Sequence, residues 1–379
     1  RQGLDRSLWD YDLNYLACEQ QLFDKVSTTN PMYSLNYAYH FDSGQYGRFL
    51  RRMAEAAGVL RIEGKIEHVD QDSENGNIQA LCLNGGRRIE GDLFVDCTGL
   101  RGRLMRQPLG EHFEDGAHWL PADSALAVPS ERFATPLPHT RSIAHRVGWQ
   151  WRIPLTHRNG NGIVYSSSYL NDDEAHAILM ANLDSAPLAE PRKIAFKTGR
   201  TVKQWHKNVV AIGLSSGFLE PLESTSIHLI QSGIVRLMKM FPNSGIDPVM
   251  VDLYNRESVE EFETVRDFII LHYHANDRVD SDFWRDMRNM HIPARLHEKI
   301  EAFRATAAVF NDQSDIFRDA SWIEVLLGQG IHPADYHPAA DALSDEALLD
   351  AMEKIWQAKQ QPLPKLLAHD EFLKRYAAA

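Results

Sequence analysis

Apolar runs and turn signals alternate over residues 37–95, which predicts one helix followed by a small antiparallel sheet. Residues 45–57 carry apolar side chains at helical spacing between Asp42, a helix-capping residue type, and Gly58, a typical helix stop. The apolar residues before Asp42 predict a strand. Three further apolar segments are separated by glycine-containing turns and lie at residues 62–69, 78–83 and 89–95. They predict a β-meander that ends in a buried strand.

Residues 141–169 are rich in apolar and aromatic side chains, which predicts further strands, with a turn at Asn159-Gly160-Asn161-Gly162. Within them, Trp149 and Trp151 are two positions apart, so their rings lie on one face of a strand that Pro154 ends. Such a pair builds a flat apolar wall. Ordinary core packing would explain it equally well.

Helical periodicity dominates from Ile227 onward, where prolines interrupt the pattern at Pro242, Pro293 and Pro333. The predicted fold class is therefore α/β (α+β). We expect a sheet-containing portion over residues 1–226 and a mainly helical portion over residues 227–379.

Composition and charge exclude some classes of binding partner. The 379 residues carry a formal charge of −12, and no Lys/Arg-rich block is present, which argues against nucleic acid and anionic lipid. Hydrophobic residues make up 44% and charged residues 24%, as in ordinary globular proteins. No apolar run approaches the length of a membrane span. We expect small-molecule or protein partners. Because the chain starts at Arg1 in sequence typical of the middle of a domain, we also expect an N-terminal portion to be missing.

The three cysteines have neither disulfide-framework nor zinc spacing, and they are Cys18, Cys82 and Cys97. A reducing cytoplasm fits this usage best. The His272-Tyr273-His274 string lacks a third metal ligand, which favours packing and a hydrogen bond over a metal site. No metal is therefore expected.

Residues 92–99 form an apolar strand that ends in Thr98-Gly99. Glycine at the carboxyl end of a strand lets a ligand approach the backbone closely, and open α/β sheets bind nucleotides at this position. A buried strand followed by an ordinary glycine turn fits the same residues.

A second strand, at residues 209–212, runs through Gly213 and a turn of small residues into a helix that begins near Ser224, Thr225 and Ser226. The free N–H groups at a helix start attract anions, although ordinary capping also explains these residue types. Glu223 lies beside this helix start, next to a proline-fixed turn, which suits a buried functional acid. For Glu220 we expect a structural hydrogen bond instead.

Two strings resemble the flavin-dependent tryptophan halogenase family. They are Trp-x-Trp-x-Ile-Pro at residues 149–154 and Glu-Pro-Leu-Glu-Ser-Thr at residues 220–225. Supporting strings occur in the same order at residues 39–42, 94–99, 271–284 and 321–331. The resemblance implies an FAD-binding box like that of flavin monooxygenases, joined to a helical module that binds an aromatic substrate.

The resemblance also implies the chemistry. Reduced FAD (FADH2) from a separate NAD(P)H-dependent flavin reductase reacts with O₂ and with chloride or bromide, and the resulting hypohalous acid travels through the protein to a small aromatic substrate. A lysine meets it there, and a glutamate assists the substitution. A homodimer is compatible with the sequence but is not indicated by it.

Residue by residue, the resemblance assigns one catalytic acid, two halide-binding positions, several cofactor contacts and several positions near the substrate. The catalytic residue is Glu223; the halide-binding backbone belongs to Thr225 and Ser226; the cofactor-binding residues are Gly99, Gly213, Leu222 and Arg48; and those on the substrate side are Trp149, Trp151, Ser224 and Trp322. Trp149 and Trp151 would separate flavin from substrate. Ser226 stands where many members have glycine.

Two departures limit the match. The sequence has no Gly-x-Gly-x-x-Gly loop for the FAD pyrophosphate and no lysine in matching context, so Lys65, Lys197 and Lys203 are expected to be solvated. The tyrosine pair that holds free tryptophan is replaced by residues 311–320. An indole-like or larger aromatic substrate is therefore favoured over free tryptophan, with Trp322 as the ring on which it stacks.

Two alternatives remain open at this stage. A related flavin monooxygenase would hydroxylate its substrate, but the tryptophan wall and Glu223 argue against it. A non-catalytic remnant of the same fold would bind an aromatic ligand without retaining FAD.

Overall fold

The computed structural model describes residues 6–26, 28–311 and 315–376. Within these residues the α-helices, in chain order, are α1 (Leu13–Glu19), α2 (Ser43–Ala56), α3 (Asp172–Ala181), α4 (Ser226–Lys239), α5 (Pro248–His274), α6 (Asp282–Asn289), α7 (Ala294–Thr306), α8 (Asp319–Gly328), α9 (Asp345–Gln360) and α10 (His369–Tyr376). No helix in these described ranges is both long enough and apolar enough to cross a membrane.

The strands in the described part of the chain are short and form several small sheets. They are β1 (Leu22–Phe23), β2 (Ile66–Gln71), β3 (Ile78–Leu83), β4 (Arg88–Glu90), β5 (Phe94–Asp96), β6 (Phe113–Asp115), β7 (Ser124–Ser130), β8 (Arg141–Ala144), β9 (Trp149–Pro154), β10 (Asn159–Tyr165), β11 (Arg192–Ala195), β12 (Gly199–Thr201), β13 (Trp205–His206), β14 (Val209–Ala211), β15 (Gly217–Phe218) and β16 (Leu367–Ala368).

Two sheets position the candidate site. A five-stranded antiparallel sheet has the order β11-β7-β10-β9-β8, and in it Gly162 pairs with Trp151. A three-stranded sheet has the order β13-β14-β5, with β5 parallel to β14 and Val95 opposite Val210. The remaining sheets are the meander β2-β3-β4, the trio β15-β12-β6 and the pair β1-β16.

Helix α5 runs through the main core. Its second half is buried, with Val265, Phe268 and Leu271 in one apolar cluster that also contains Trp149 from β9 and Trp322 from α8. The predicted sheet portion and helical portion therefore share a core, and the terminal strands β1 and β16 also pair across them. The domain division at residue 226 stays a prediction.

Several predicted elements are confirmed. The meander forms as β2-β3-β4, and Asp42 is the N-cap of α2, where its Oδ1 accepts a hydrogen bond from Gln45 N at 3.0 Å. Gly58 follows α2 with a φ of +94°, which favours glycine. The strand expected before Asp42 is wrong: residues 34–42 are irregular, and His40 Nδ1 donates to the Pro154 carbonyl at 3.1 Å instead.

The turn predicted at residues 159–162 is also wrong, because these residues form the start of β10. Asn161 is buried there, and its Nδ2 donates to Ser130 Oγ at 2.9 Å, so the neighbouring strand satisfies the amide. The chain reverses at residues 155–158 instead, where Leu155 N donates to Arg158 O at 2.9 Å. Turn-forming residue types are thus used here for a strand with buried polar contacts.

The apolar faces of α2 and α4 are largely exposed in the described chain. Phe49 and Met53 on α2 are exposed, as are Ile234 and Met238 on α4, whereas Leu237 of α4 is buried. The helical periodicity predicted for both segments is therefore right, although most of these apolar side chains are not covered by another described element.

Candidate active site

The carboxyl ends of β5 and β14 lie side by side and carry two glycines in the left-handed region. Gly99 has a φ of +75° and Gly213 a φ of +73°. Ile212 N donates to Asp96 O at 3.0 Å, which joins the two strand ends. A Cβ added to Gly99 would meet nothing within 4 Å, so there is open space above it. The structure thus brings both glycines predicted to bind the cofactor to one sheet edge of the kind that binds nucleotides.

Asp96 fixes the backbone around Gly99, and sequence reasoning missed it. Its carboxylate is fully buried. Oδ1 accepts from Thr98 N at 2.9 Å, and Oδ2 accepts from Leu104 N at 2.8 Å and Met105 N at 3.1 Å. The sequence feature that could have identified it is an acidic residue inside an otherwise apolar strand. A carboxylate buried there needs hydrogen-bond donors around it.

Glu223 projects from a single 3₁₀ turn, Pro221–Glu223, that Ser224 closes in a left-handed conformation with a φ of +54°. Ser224 N donates to Pro221 O at 3.0 Å. Leu222, one of the positions predicted to contact the cofactor, is half-buried against the main apolar cluster. A non-glycine residue at positive φ is uncommon and carries strain, which is typical of functional sites.

His272 is the partner of Glu223, with Nε2 at 2.9 Å from Oε1. Its Nδ1 lies 2.8 Å from the Phe268 carbonyl oxygen, which can only accept, so Nδ1 carries a hydrogen. The contact between Nε2 and the Glu223 carboxylate is an ion pair when the imidazole is protonated. The expectation of packing plus a hydrogen bond for His272 was correct, but its acidic partner was not foreseen.

The start of α4 offers backbone N–H groups to an anion. Thr225 is the N-cap, but its side chain accepts no hydrogen bond from the first turn. These N–H groups and the helix dipole are the features that favour a halide. Thr225 and Ser226, the two positions predicted to bind halide, are at this helix start.

A network of ion pairs and hydrogen bonds joins α4 to α5. Glu261 of α5 accepts from Arg236 Nη2 at 2.8 Å and Ser232 Oγ at 2.8 Å, and its Oε1 is 3.0 Å from His228 Nε2. Burial alone would raise the pKa of Glu261, but the hydrogen bonds from His228, Arg236 and Ser232 outweigh it, so the pKa is lowered. The carboxylate is thus held charged beneath the helix start.

Two openings meet at the start of α4. The first is lined by Gly213, Phe218 and Ser226. The second, of about 510 Å³, is lined by Glu223, Ser224, Thr225, His228, Phe317 and Arg318. Glu261 lines both. The helix start therefore separates the side that carries a cofactor glycine from the side that carries the predicted catalytic acid.

Trp149 and Trp151 lie on one face of β9 as predicted, but their ring planes are inclined by 57° and neither ring lines the two openings, so their separation of flavin from substrate stays a prediction. The rings of Trp149 and Trp151 have centroids 6.0 Å apart, and Trp149 is 3% exposed. Trp149 Nε1 donates to Glu220 Oε1 at 3.1 Å, and the Tyr273 hydroxyl donates to the same oxygen at 2.5 Å. The hydrogen bond expected for Glu220 is confirmed. Its burial raises the pKa of the carboxyl to about 7, against the effect of these two hydrogen bonds.

Trp322 does not have the surroundings predicted for it. The ring is 1% exposed, packs edge-on against Phe268 with a centroid distance of 4.8 Å, and has Lys299 Nζ 4.0 Å from its centre. Its faces are therefore not free to stack on a substrate in this structure. Phe317, stacked on Phe268 at 3.9 Å, lines the second opening instead. Of the replaced tyrosine region, residues 312–314 lie outside the described residues.

Arg48 is exposed on α2 and lines neither opening. No hydrogen bond or ion pair joins its side chain to another described residue, so its contact with the cofactor stays a prediction. The three lysines predicted to be solvated are exposed, and Lys197 pairs with Asp115 at 2.8 Å. Lys65 and Lys203 are the other two.

Comparisons with known proteins agree on one family. A family model described as tryptophan halogenase matches residues 1–345. A tryptophan 7-halogenase of Lentzea aerocolonigenes is 40% identical over 285 residues, which cover 74% of this chain and 54% of that protein. A tryptophan 6-halogenase of Streptomyces albogriseolus is 39% identical over 323 residues, covering 80% and 61%.

Solved structures give the same result. A flavin-dependent halogenase from Xanthomonas campestris has a TM-score of 0.95 and 50% identity, covering 99% of this chain and 75% of that one. Another, from Brevundimonas sp. BAL3, has a TM-score of 0.95 and 43% identity, covering 98% and 76%. The predicted fold class is confirmed. The chain nevertheless spans only 54% and 61% of the length of the two curated relatives named above.

Proposed function

Because the chain belongs to the tryptophan halogenase family, we propose that it serves the FAD-dependent halogenation of an aromatic substrate, with O₂ and chloride or bromide as co-substrates. The observation that carries the proposal is the position of Glu223. This acid lines an opening at the uncapped start of α4 and is paired with His272, and the other side of that helix start faces Gly213.

In the proposed reaction the halide is held by the main-chain N–H groups of Thr225 and Ser226. Once the halide is oxidised to hypohalous acid, its halogen replaces a ring hydrogen and its oxygen leaves as water. Glu223 accepts the ring proton, or stabilises the cationic ring before that proton leaves. Trp149 and Trp151 separate the cofactor side from the substrate side, which favours halogenation over direct oxygenation.

FAD would be held at the edge formed by Gly99 and Gly213, with Leu222 and Arg48 as further contacts. When bound in its reduced form, FAD would supply two of the four electrons that reduce O₂, and the halide would supply the other two as it is oxidised. Open space above Gly99 and the left-handed conformation of both glycines fit the approach of a ring system to the backbone. The sequence contains no pyrophosphate-binding glycine loop, so these residues fit only part of the cofactor.

The substrate we propose is an indole-like ring, bound in the opening beside Glu223 and Ser224. Phe317 supports this choice, since it presents an aromatic side chain at that opening. The electron donor would be a separate NAD(P)H-dependent flavin reductase, in the cytoplasm. Chemically reduced FAD can replace this partner in an assay.

The test is to incubate the protein with chemically reduced FAD, O₂, bromide and indole and to identify products by mass spectrometry. Brominated indole is expected from the wild-type chain. Glu223→Gln should lower the turnover by about 10- to 1,000-fold, the range for loss of a positioned acid/base or electrostatic group. Glu260→Gln is the control, because this acid lies on the exposed side of α5.

Other results of this assay would contradict the proposed function or the role of Glu223. Unchanged turnover in Glu223→Gln would remove this residue from the mechanism. Oxygenated instead of brominated indole would identify a monooxygenase. Binding of an aromatic ligand without retention of FAD or formation of product would favour the non-catalytic remnant.

A further inference from the structure

Glu220 joins three segments of the candidate active site through one oxygen atom. Its side chain is fully buried between β9 and α5, immediately before the Pro221–Glu223 turn. Oε1 accepts from the indole N–H of Trp149 at 3.1 Å and from the hydroxyl of Tyr273 at 2.5 Å. Oε2 is buried and has no hydrogen-bond partner among the described residues. An acid in such surroundings is expensive to bury, so packing alone does not explain its presence.

The two donors belong to different elements, β9 and α5. Trp149 is half of the tryptophan wall. Tyr273 follows His272 on α5, and His272 contacts Glu223 at 2.9 Å. A single carboxyl oxygen therefore fixes the indole of the wall and the helix segment that carries the partner of the predicted catalytic acid.

We propose that Glu220 is a positioning residue, which holds the Trp149 ring in a fixed relation to the His272–Glu223 pair. The role in halogenation rests on the proposed function, whereas the tether itself does not. Displacements of about 1 Å in supporting residues can cost about 100-fold in rate, so a tether of this kind has a measurable kinetic effect.

The tether does not depend on the charge of Glu220. Trp149 N–H and Tyr273 O–H both donate, and a carboxyl oxygen accepts from them whether or not the other oxygen is protonated. The titratable groups that face Glu220 are Tyr273 and, through its charge, His272. A glutamine amide oxygen can accept the same two bonds, but a leucine, of similar volume, cannot. Glu220→Gln should therefore preserve the geometry, whereas Glu220→Leu should lose it.

The decisive measurement is ¹⁹F NMR of the chain labelled with 5-fluorotryptophan. The resonance of residue 149 is assigned by its loss in Trp149→Phe. We expect Glu220→Leu to shift and broaden this resonance, Tyr273→Phe to shift it less, and Glu220→Gln to leave it near the wild-type position. Trp205 is the internal reference, because it lies in a separate core cluster and donates to Lys207 O at 3.0 Å.

In the halogenation assay, Glu220→Leu should lower kcat by about 10- to 100-fold with little change in the KM for indole, and Glu220→Gln should restore most of it. An unchanged Trp149 resonance in Glu220→Leu would overturn the proposal, as would equal damage from both substitutions. If Glu220→Leu does not fold, Tyr273→Phe decides the matter by the same resonance. Absence of product from the wild type would refute the proposed function alone, since the resonances are still measured.

Discussion

Replacing Gly162 by alanine should destabilise the five-stranded sheet and displace the ring of Trp151. Gly162 lies on β10 directly opposite Trp151 on β9, and the indole ring crosses the space that a side chain would occupy. A Cβ at this position would overlap the ring and would lie 2.5 Å from the Leu126 carbonyl oxygen on β7. The glycine therefore provides the room on which half of the tryptophan wall depends.

The magnitude follows from which neighbours can move. The Trp151 ring could rotate away, but the Leu126 carbonyl belongs to a strand paired along its length with β10, so it cannot withdraw without breaking sheet contacts. Overpacking of a well-packed interior costs about 1–3 kcal/mol. Since both a ring and a backbone atom are in the way, we expect a loss of about 3 kcal/mol in the free energy of unfolding.

Gly160 is a matched control on the same strand. A Cβ there would find its nearest neighbour at 3.7 Å, which is an ordinary contact distance. Gly160→Ala should be neutral or stabilise the chain by up to about 1 kcal/mol, because alanine restricts the unfolded chain. Urea unfolding of both variants, followed by circular dichroism, compares the two free energies. Equal stability of Gly162→Ala and Gly160→Ala would show that Trp151 does not pack over this strand as described.

Three further predictions concern buried acids and helix stability. Between pH 4.5 and 7 the free energy of unfolding of the wild type should fall by roughly 3 kcal/mol relative to that of Glu220→Gln, because the pKa of Glu220 is about 7 in the folded state and lower in the unfolded state. Urea unfolding from pH 4 to 8 measures both free energies, and parallel pH curves for the two proteins would contradict this prediction. Asp96→Asn should lower the free energy of unfolding by about 3 kcal/mol, measured in the same way. Both carboxylate oxygens accept hydrogen bonds from backbone N–H groups, and the amide NH₂ of asparagine cannot accept one. In hydrogen exchange, the amides of α2 should be protected less than those of the buried half of α5, because α2 has no buried residue; equal protection would mean that α2 is covered.

The sequence was most informative where the structure is local. The β9 strand with Trp149 and Trp151 on one face, the cap of α2 at Asp42, and the turn that presents Glu223 all depend on residues within a few positions of each other. Periodicity, capping and proline restrict such segments directly. These predictions are confirmed for that reason.

Contacts between distant segments could not be predicted in the same way. Glu223 and His272 are separated by the whole of α4 and most of α5, and β5 and β14 pair across more than 110 residues. For Trp322 the sequence predicted a contact that the structure does not show. The resemblance to the family suggested that its ring contacts the substrate, but Phe268 and Lys299 enclose the ring. A chemical role depends on which neighbours reach a side chain, and spacing along one sequence does not specify them.

The helices α2 and α4 show a second reason why burial could not be predicted from the sequence. Apolar periodicity identifies the face of a helix that gains free energy when it is buried, but it does not identify what buries it. On α4, Leu237 finds cover in the core formed by Trp205 and Tyr254, whereas Met238 on the same helix does not. The two residues are consecutive and both apolar, but their side chains point about 100° apart around the helix axis, and only that of Leu237 meets this core. Prediction of burial from one sequence is therefore limited by the packing of other elements, even where the helix itself is predicted correctly.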